Sequence, residues 1–163
     1  MSASQPGTSS STQIADNRIF LFRLQILIID GGLTSLRNYV DQELAAQSST
    51  LSTCLAYEKA RIKLLKGKKI ITQVQYDLLY PSSGTVSTSD LDITLIICLV
   101  RNLKFFRLNS KFNWNIPPVQ SDTSIEADIC RLKLFRNEIC HISTTTGIQH
   151  NDFINKWQEI EQV

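Results

Sequence analysis

With 163 residues, 42% of them hydrophobic and 20% charged, the chain has the composition of an ordinary globular domain, long enough to bury roughly two thirds of its unfolded surface without a disulfide or a metal. A formal charge of +2 is too small for a generally basic nucleic-acid binder, so any basic surface must be local. The four cysteines, Cys54, Cys98, Cys130 and Cys140, form no C-x-x-C pair and no zinc-ligand spacing with histidine, and three of them sit inside apolar runs, which points to reduced, buried thiols in a cytoplasmic protein. No metal or cofactor is expected.

Residues 1–15 begin MSASQPGTSSSTQ, a segment with neither the basic nor the apolar region of a signal peptide, and read as a disordered tail ahead of one domain over residues 16–163. From there apolar residues recur at helical spacing, which predicts an all-α fold. A first helix over about residues 16–30 ends at Gly31-Gly32, where glycine can close a helix in the left-handed conformation. Its apolar stretch 19–29 is broken by Arg23 and Gln25 and is shorter than the ~20 residues of a membrane span, so a soluble protein with no membrane partner is expected. Thr34 can cap a second helix with Leu36, Val40 and Leu44 on one face. The polar segment 47–53 precedes a third helix over about residues 55–66, ended by Gly67. Thr72 opens a short helix that Pro81 stops.

Ser89 or Asp90 can cap the helix LDITLIICLVRNL, about residues 91–103, which is apolar nearly all round and belongs at the centre of a bundle. Residues 104–122 show no period, and Pro117-Pro118 forbids a helix there. Thr123-Ser124-Ile125-Glu126 has the form of a capping box and opens the next helix. A last helix over about residues 152–162 is expected to bury Phe153, Ile154, Trp157 and Ile160.

The helix after the box carries FRNEICHIS. Ile125, Ile129, Leu132, Phe135 and Ile139 form one stripe at about 100° per residue, and Arg136 falls inside it. Asn137 and His141 share a second face with Cys130 and Leu134. A core-facing Arg usually satisfies a buried carboxylate, for which Asp30 and Asp92 are the candidates, and a His in the last turn caps carbonyls or answers the helix dipole. The competing reading is chemical. Cleavage of RNA by its own 2′-OH needs a base that titrates near neutrality, which suits His, and a planar cation for the phosphate, which suits Arg. One His cannot readily be both base and acid, but a two-fold dimer supplies two.

The sequence resembles HEPN domains (higher eukaryotes and prokaryotes nucleotide-binding), whose signature is an Arg, usually followed by a polar residue, and a His a few residues further on, late in a helix. RNEICH has this form. In order, the landmarks FRLQILIIDGG, KKIITQVQYDLLYP, LDITLIICLVRNL, PPVQSDTSIEADICRLKLFRNEICHIS and FINKWQEI are similar to the HEPN subgroup named after the DAZ-interacting zinc finger ubiquitin ligase. The resemblance implies a bundle of about five to seven helices that pairs with a second copy through the motif helix. It assigns catalytic roles to Arg136, Asn137 and His141, as in HEPN families that cleave RNA without a metal ion. Other HEPN domains bind RNA or act as scaffolds and adaptors, and in this subgroup they often accompany signalling or immune modules in animals. The expected function is an RNA-binding or protein-interaction module in an animal stress or defence context, with metal-independent endoribonuclease activity. The alternative is a non-catalytic homodimerisation scaffold. A homodimer, single-stranded RNA and signalling proteins are the expected partners, and ligase activity is not carried over because no zinc-binding array is present.

Two basic stretches are further candidates for nucleic-acid contact. Lys59, Arg61, Lys63, Lys66, Lys68 and Lys69 read either as a phosphate-tracking face or as a solvated helix surface. In KFFRLNSKFNW, Lys104, Arg107 and Lys111 alternate with Phe105, Phe106, Phe112 and Trp114. That pattern suits base stacking beside phosphates, or anchors a long loop to the core. His150 lies outside the motif, and Gly31-Gly32 lacks the strand and third glycine of a dinucleotide fingerprint.

Overall fold

The computed structural model describes residues 8–163, and among these every regular element is helical. Of the expected tail, residues 1–7 lie outside the described residues, whereas residues 8–15 belong to the first helix, α1 (Thr8–Ile26). Gly31-Gly32 does not end a helix. The backbone passes through a π-helical segment, Leu27–Gly32, into α2 (Leu33–Ala46), and Gly32 itself is right-handed at φ −62°, ψ −42°. The helical run Ser10–Ala46 is therefore long and apolar enough, by length and composition alone, to cross a membrane, which residues 19–29 by themselves are not. Thr34 is not a cap, since α2 starts without any side-chain cap bond.

The chain divides into two compact units, one made of Gly32–Ile116 and the other of the described residues up to Gly31 together with Pro117–Val163. In the first, Leu36, Val40 and Leu44 of α2 are buried as their spacing predicts. The expected third helix is two, α3 (Leu51–Tyr57) and α4 (Lys59–Gly67), parted at Glu58. Thr50 caps α3 by accepting from the Thr53 amide. Thr72 caps α5 (Gln73–Leu79) in a reciprocal box with Gln75. The helix then stops ahead of Pro81 as expected. The apolar helix α6 (Ile93–Asn102) buries Ile93, Leu95, Ile96, Ile97, Leu99 and Val100 and packs on α2. Its cap is Asp92, not Ser89 or Asp90, with Oδ1 2.7 Å from the Leu95 amide; the two expected caps lie instead in a 3-10 turn, Thr88–Asp90. Arg37 holds that turn by donating to the carbonyls of Thr88, Ser89 and Leu91 at 2.9–3.0 Å.

In the other unit α1 packs on both α7 (Ile125–His141) and α8 (His150–Glu161), burying Leu21, Leu24 and Ile28. Ser124, one residue later than the expected capping box, caps α7 by accepting from the Ala127 amide. The bend between α7 and α8 depends on Gly147, whose φ is +69° and whose missing Cβ makes room for the backbone of Asn17 and Arg18. The next residue, Ile148, donates its amide to the Asn17 carbonyl at 3.0 Å. Of the apolar residues expected inside α8, Ile160 is buried, Phe153 and Trp157 are half-buried, and Ile154 is exposed at 38%.

Candidate functional site

Helix α7 sets the motif. Ile129, Leu132 and Ile139 of the stripe are buried, whereas Phe135 is half-buried and Ile125, the first residue of the helix, is exposed at 38%; Cys130 is buried on the second face. Arg136 departs from expectation. It is half-buried and pairs with neither Asp30 nor Asp92; its Nη1 donates to Asn137 Oδ1 at 3.1 Å, and among the described residues it makes no ion pair. The helix is near its C-terminal end here, so a residue whose angle points to the core can still reach water. Asn137 is half-buried and His141, the last residue of α7, is exposed.

Five residues separate Arg136 from His141, about 140° around the axis and about 7.5 Å along it. Asn137 lies between them in angle, shares a face with His141 and accepts from Arg136 through its side-chain amide. The arc from Arg136 to His141 also contains Lys133 and Cys140, while Glu126 shares its angle only from the first turn of the helix, about 15 Å back along the axis. Glu138, the acid nearest in sequence, lies on the opposite side and is held by Lys156 of α8 at 2.8 Å. Among the described residues, the Arg136 guanidinium is thus left without a carboxylate by the helix that bears it.

The basic stretch 59–69 divides. Lys59 lies over the Tyr80 ring at 5.1 Å and Lys66 over Tyr76 at 4.6 Å, so these ammonium groups are engaged with α5. Lys63, Lys68 and Lys69 are exposed. Arg61 turns the other way, and its Nε donates to the Asn102 carbonyl at the end of α6. There it meets the loop residues Lys104 and Arg107 in a cavity of about 440 Å³. Arg101 and Trp114 also line it, with the guanidinium 4.9 Å from the indole centroid. Lys111 does not line this cavity. Phe106 is buried, as a core anchor would be, and Phe105 presents its amide to the buried Glu58 carboxylate at 2.9 Å.

The cysteines are unpaired. Cys54 and Cys130 are buried, Cys98 is half-buried, and Cys140 is exposed, contrary to the expectation of buried thiols. Burial, with the Glu58 carboxylate adding to it, pushes the Cys54 thiol up to about 12, so that it is inert at neutral pH. Among the described residues no group of three or more His, Cys, Asp or Glu side chains is arranged to hold a metal ion.

A family model described as the DZIP3/hRUL138-like HEPN matches residues 48–163, which is most of the chain and includes the whole of α7. The chain belongs to this HEPN family. It is similar to the E3 ubiquitin-protein ligase DZIP3 of Homo sapiens, 29% identical over 89 residues, and to that of Mus musculus, 28% identical over 89 residues. Each match covers 54% of this chain and 7% of the relative, so the chain corresponds to a small part of those proteins. No solved structure matches.

In this HEPN domain the helix that carries Arg136, Asn137 and His141 was legible from sequence, while the surroundings of Arg136 were not. Arg101 was missed altogether. It lies in the last turn of a helix read as apolar nearly all round, and the only signal was that RNL, the last three residues of that run, breaks its hydrophobic pattern at Arg101-Asn102.

Proposed function

We propose that this HEPN domain acts on single-stranded RNA, and that two copies paired across the α7 motif face cleave it without a metal ion, in an animal stress or defence signalling context. The observation that supports this most is the state of Arg136: half-buried, bonded only to the neutral amide of Asn137, and free of any carboxylate among the described residues. An arginine serving the fold alone would be expected to carry an acidic partner. One that keeps its charge unneutralised beside an exposed His is suited to a phosphate.

In the proposed reaction one His141 takes the proton of the 2′-OH as its oxygen attacks phosphorus. The bond to the 5′-oxygen breaks, and the His141 of the second copy gives that oxygen a proton. The products are a 2′,3′-cyclic phosphate and a 5′-hydroxyl. Arg136 neutralises charge growing on the phosphate, and Asn137 orients Arg136 while facing the same side as His141. Ubiquitin ligation, named for the relatives, is not part of this proposal.

A second reading, a non-catalytic homodimerisation scaffold, is favoured by one feature. Ile19, Phe22, Ile26 and Ile29 of the first helical segment are 43–60% exposed at the three- and four-residue spacing of a helix-pairing seam. Incubating purified protein with single-stranded RNA in EDTA separates the readings. The proposed function requires cleavage by the wild type and its loss in His141→Ala; intact RNA with both proteins transfers the function to the scaffold.

A further inference from the structure

The cavity at the C-terminal end of α6 is built from one compact unit and is separate from the α7 motif. Four of its lining residues are cationic, Arg61, Arg101, Lys104 and Arg107, and none is acidic. Like charges gathered in one concavity repel one another; here Arg61 is tied to a backbone carbonyl, Arg101 lies over the Trp114 ring, and its Nε is buried with no hydrogen-bond partner among the described residues. An unsatisfied buried donor is unfavourable. Arg107 adds a second penalty. It is a non-glycine residue in the left-handed region at φ +54°, a conformation that persists where something else requires it. Trp114 supplies the only aromatic surface among the lining residues.

Unneutralised cations, an orphan donor, a strained arginine and an indole at one place match one ligand chemistry, a phosphate with a base attached. We infer that this cavity holds one nucleotide unit of a single-stranded RNA, with Arg101, Lys104 and Arg107 on its phosphate and the base against Trp114. A volume of about 440 Å³ accommodates a nucleotide. The inference rests on the RNA reading of the domain and deepens it, because it separates the place where a strand is held from the place where it is cut. Arg61, fixed by Asn102, lends charge without contact.

The test uses a fluorescein-labelled 2′-O-methyl oligouridine, which cannot be cleaved through its 2′-position, and reads binding by anisotropy. Arg107→Gly and Trp114→Leu should each weaken binding by on the order of tenfold. Arg107→Gly should also melt no lower than the wild type, since glycine relieves the left-handed strain; loss of binding in a protein of undiminished stability distinguishes a ligand contact from a folding defect. Uridine monophosphate should compete only at far higher concentration than the strand. Equal potency of the free nucleotide would overturn the strand as occupant. If the wild type binds and both cavity variants bind equally well, the cavity assignment fails and the RNA reading survives. If the wild type binds no oligonucleotide, the cavity assignment fails, and the cleavage assay alone decides the function.

Discussion

Arg136 shows how much one residue's environment changes a functional reading. Its place on the helical wheel gave an expectation of a core arginine with Asp30 or Asp92 as partner, yet Asp92 is occupied at the start of α6 and, among the described residues, the arginine bonds only to Asn137. Angle around a helix is readable from sequence, whereas distance from the end of the supporting core is not. The consequence is measurable. Arg136→Ala removes one hydrogen bond to a neutral amide and should lower unfolding free energy by at most about 1.5 kcal/mol in a urea titration. A loss of about 3–5 kcal/mol, the size expected from breaking a buried ion pair, would return Arg136 to a structural role. The same contrast applies to Arg101, whose meaning comes from an indole thirteen residues away that no local pattern connects to it.

At the scale of elements, those governed by local chemistry were the legible ones. Thr72 and Pro81 bound α5 as their residue types dictate, and the apolar run of α6 lies in the core. Elements governed by distant partners were not. The expected helix through residues 55–66 breaks at Glu58, a buried carboxylate that serves the Phe105 amide 47 residues away. Gly31-Gly32 has the composition of a stop, but a glycine can adopt the right-handed conformation too, and the helical backbone continues through it. Gly147, by contrast, is a glycine that its position demands. Gly147→Ala would need both a left-handed alanine and space occupied by the α1 backbone, while Gly84 shares the positive φ, at +79°, but has open space around it. Thermal unfolding of the two alanine variants should show a loss of about 1 kcal/mol for Gly84→Ala and a loss on the order of 2–3 kcal/mol or more for Gly147→Ala. Equal losses would mean that α1 does not press on the turn that follows the motif helix.

For the whole molecule, helical periodicity made the all-α class legible, and the ordered landmarks made the HEPN family legible, as the match over residues 48–163 bears out. The division into two compact units at Gly31/Gly32 and Ile116/Pro117 was not. The first boundary falls at Gly31-Gly32 within a helical backbone that continues through it, and the second beside Pro117-Pro118 within an irregular connection whose sequence predicts only a loop. Function is the property least contained in one chain. His141 is the motif's only histidine, and the proposed chemistry needs a proton taken and a proton given, so the account requires a second copy. The most direct measurement is end-group analysis of single-stranded RNA incubated in EDTA with wild-type protein, His141→Ala and Arg136→Ala. The account predicts 2′,3′-cyclic phosphate and 5′-hydroxyl ends from the wild type and intact RNA from both variants. Cleavage that persists in His141→Ala, or wild-type products ending in 3′-hydroxyl and 5′-phosphate, would contradict it.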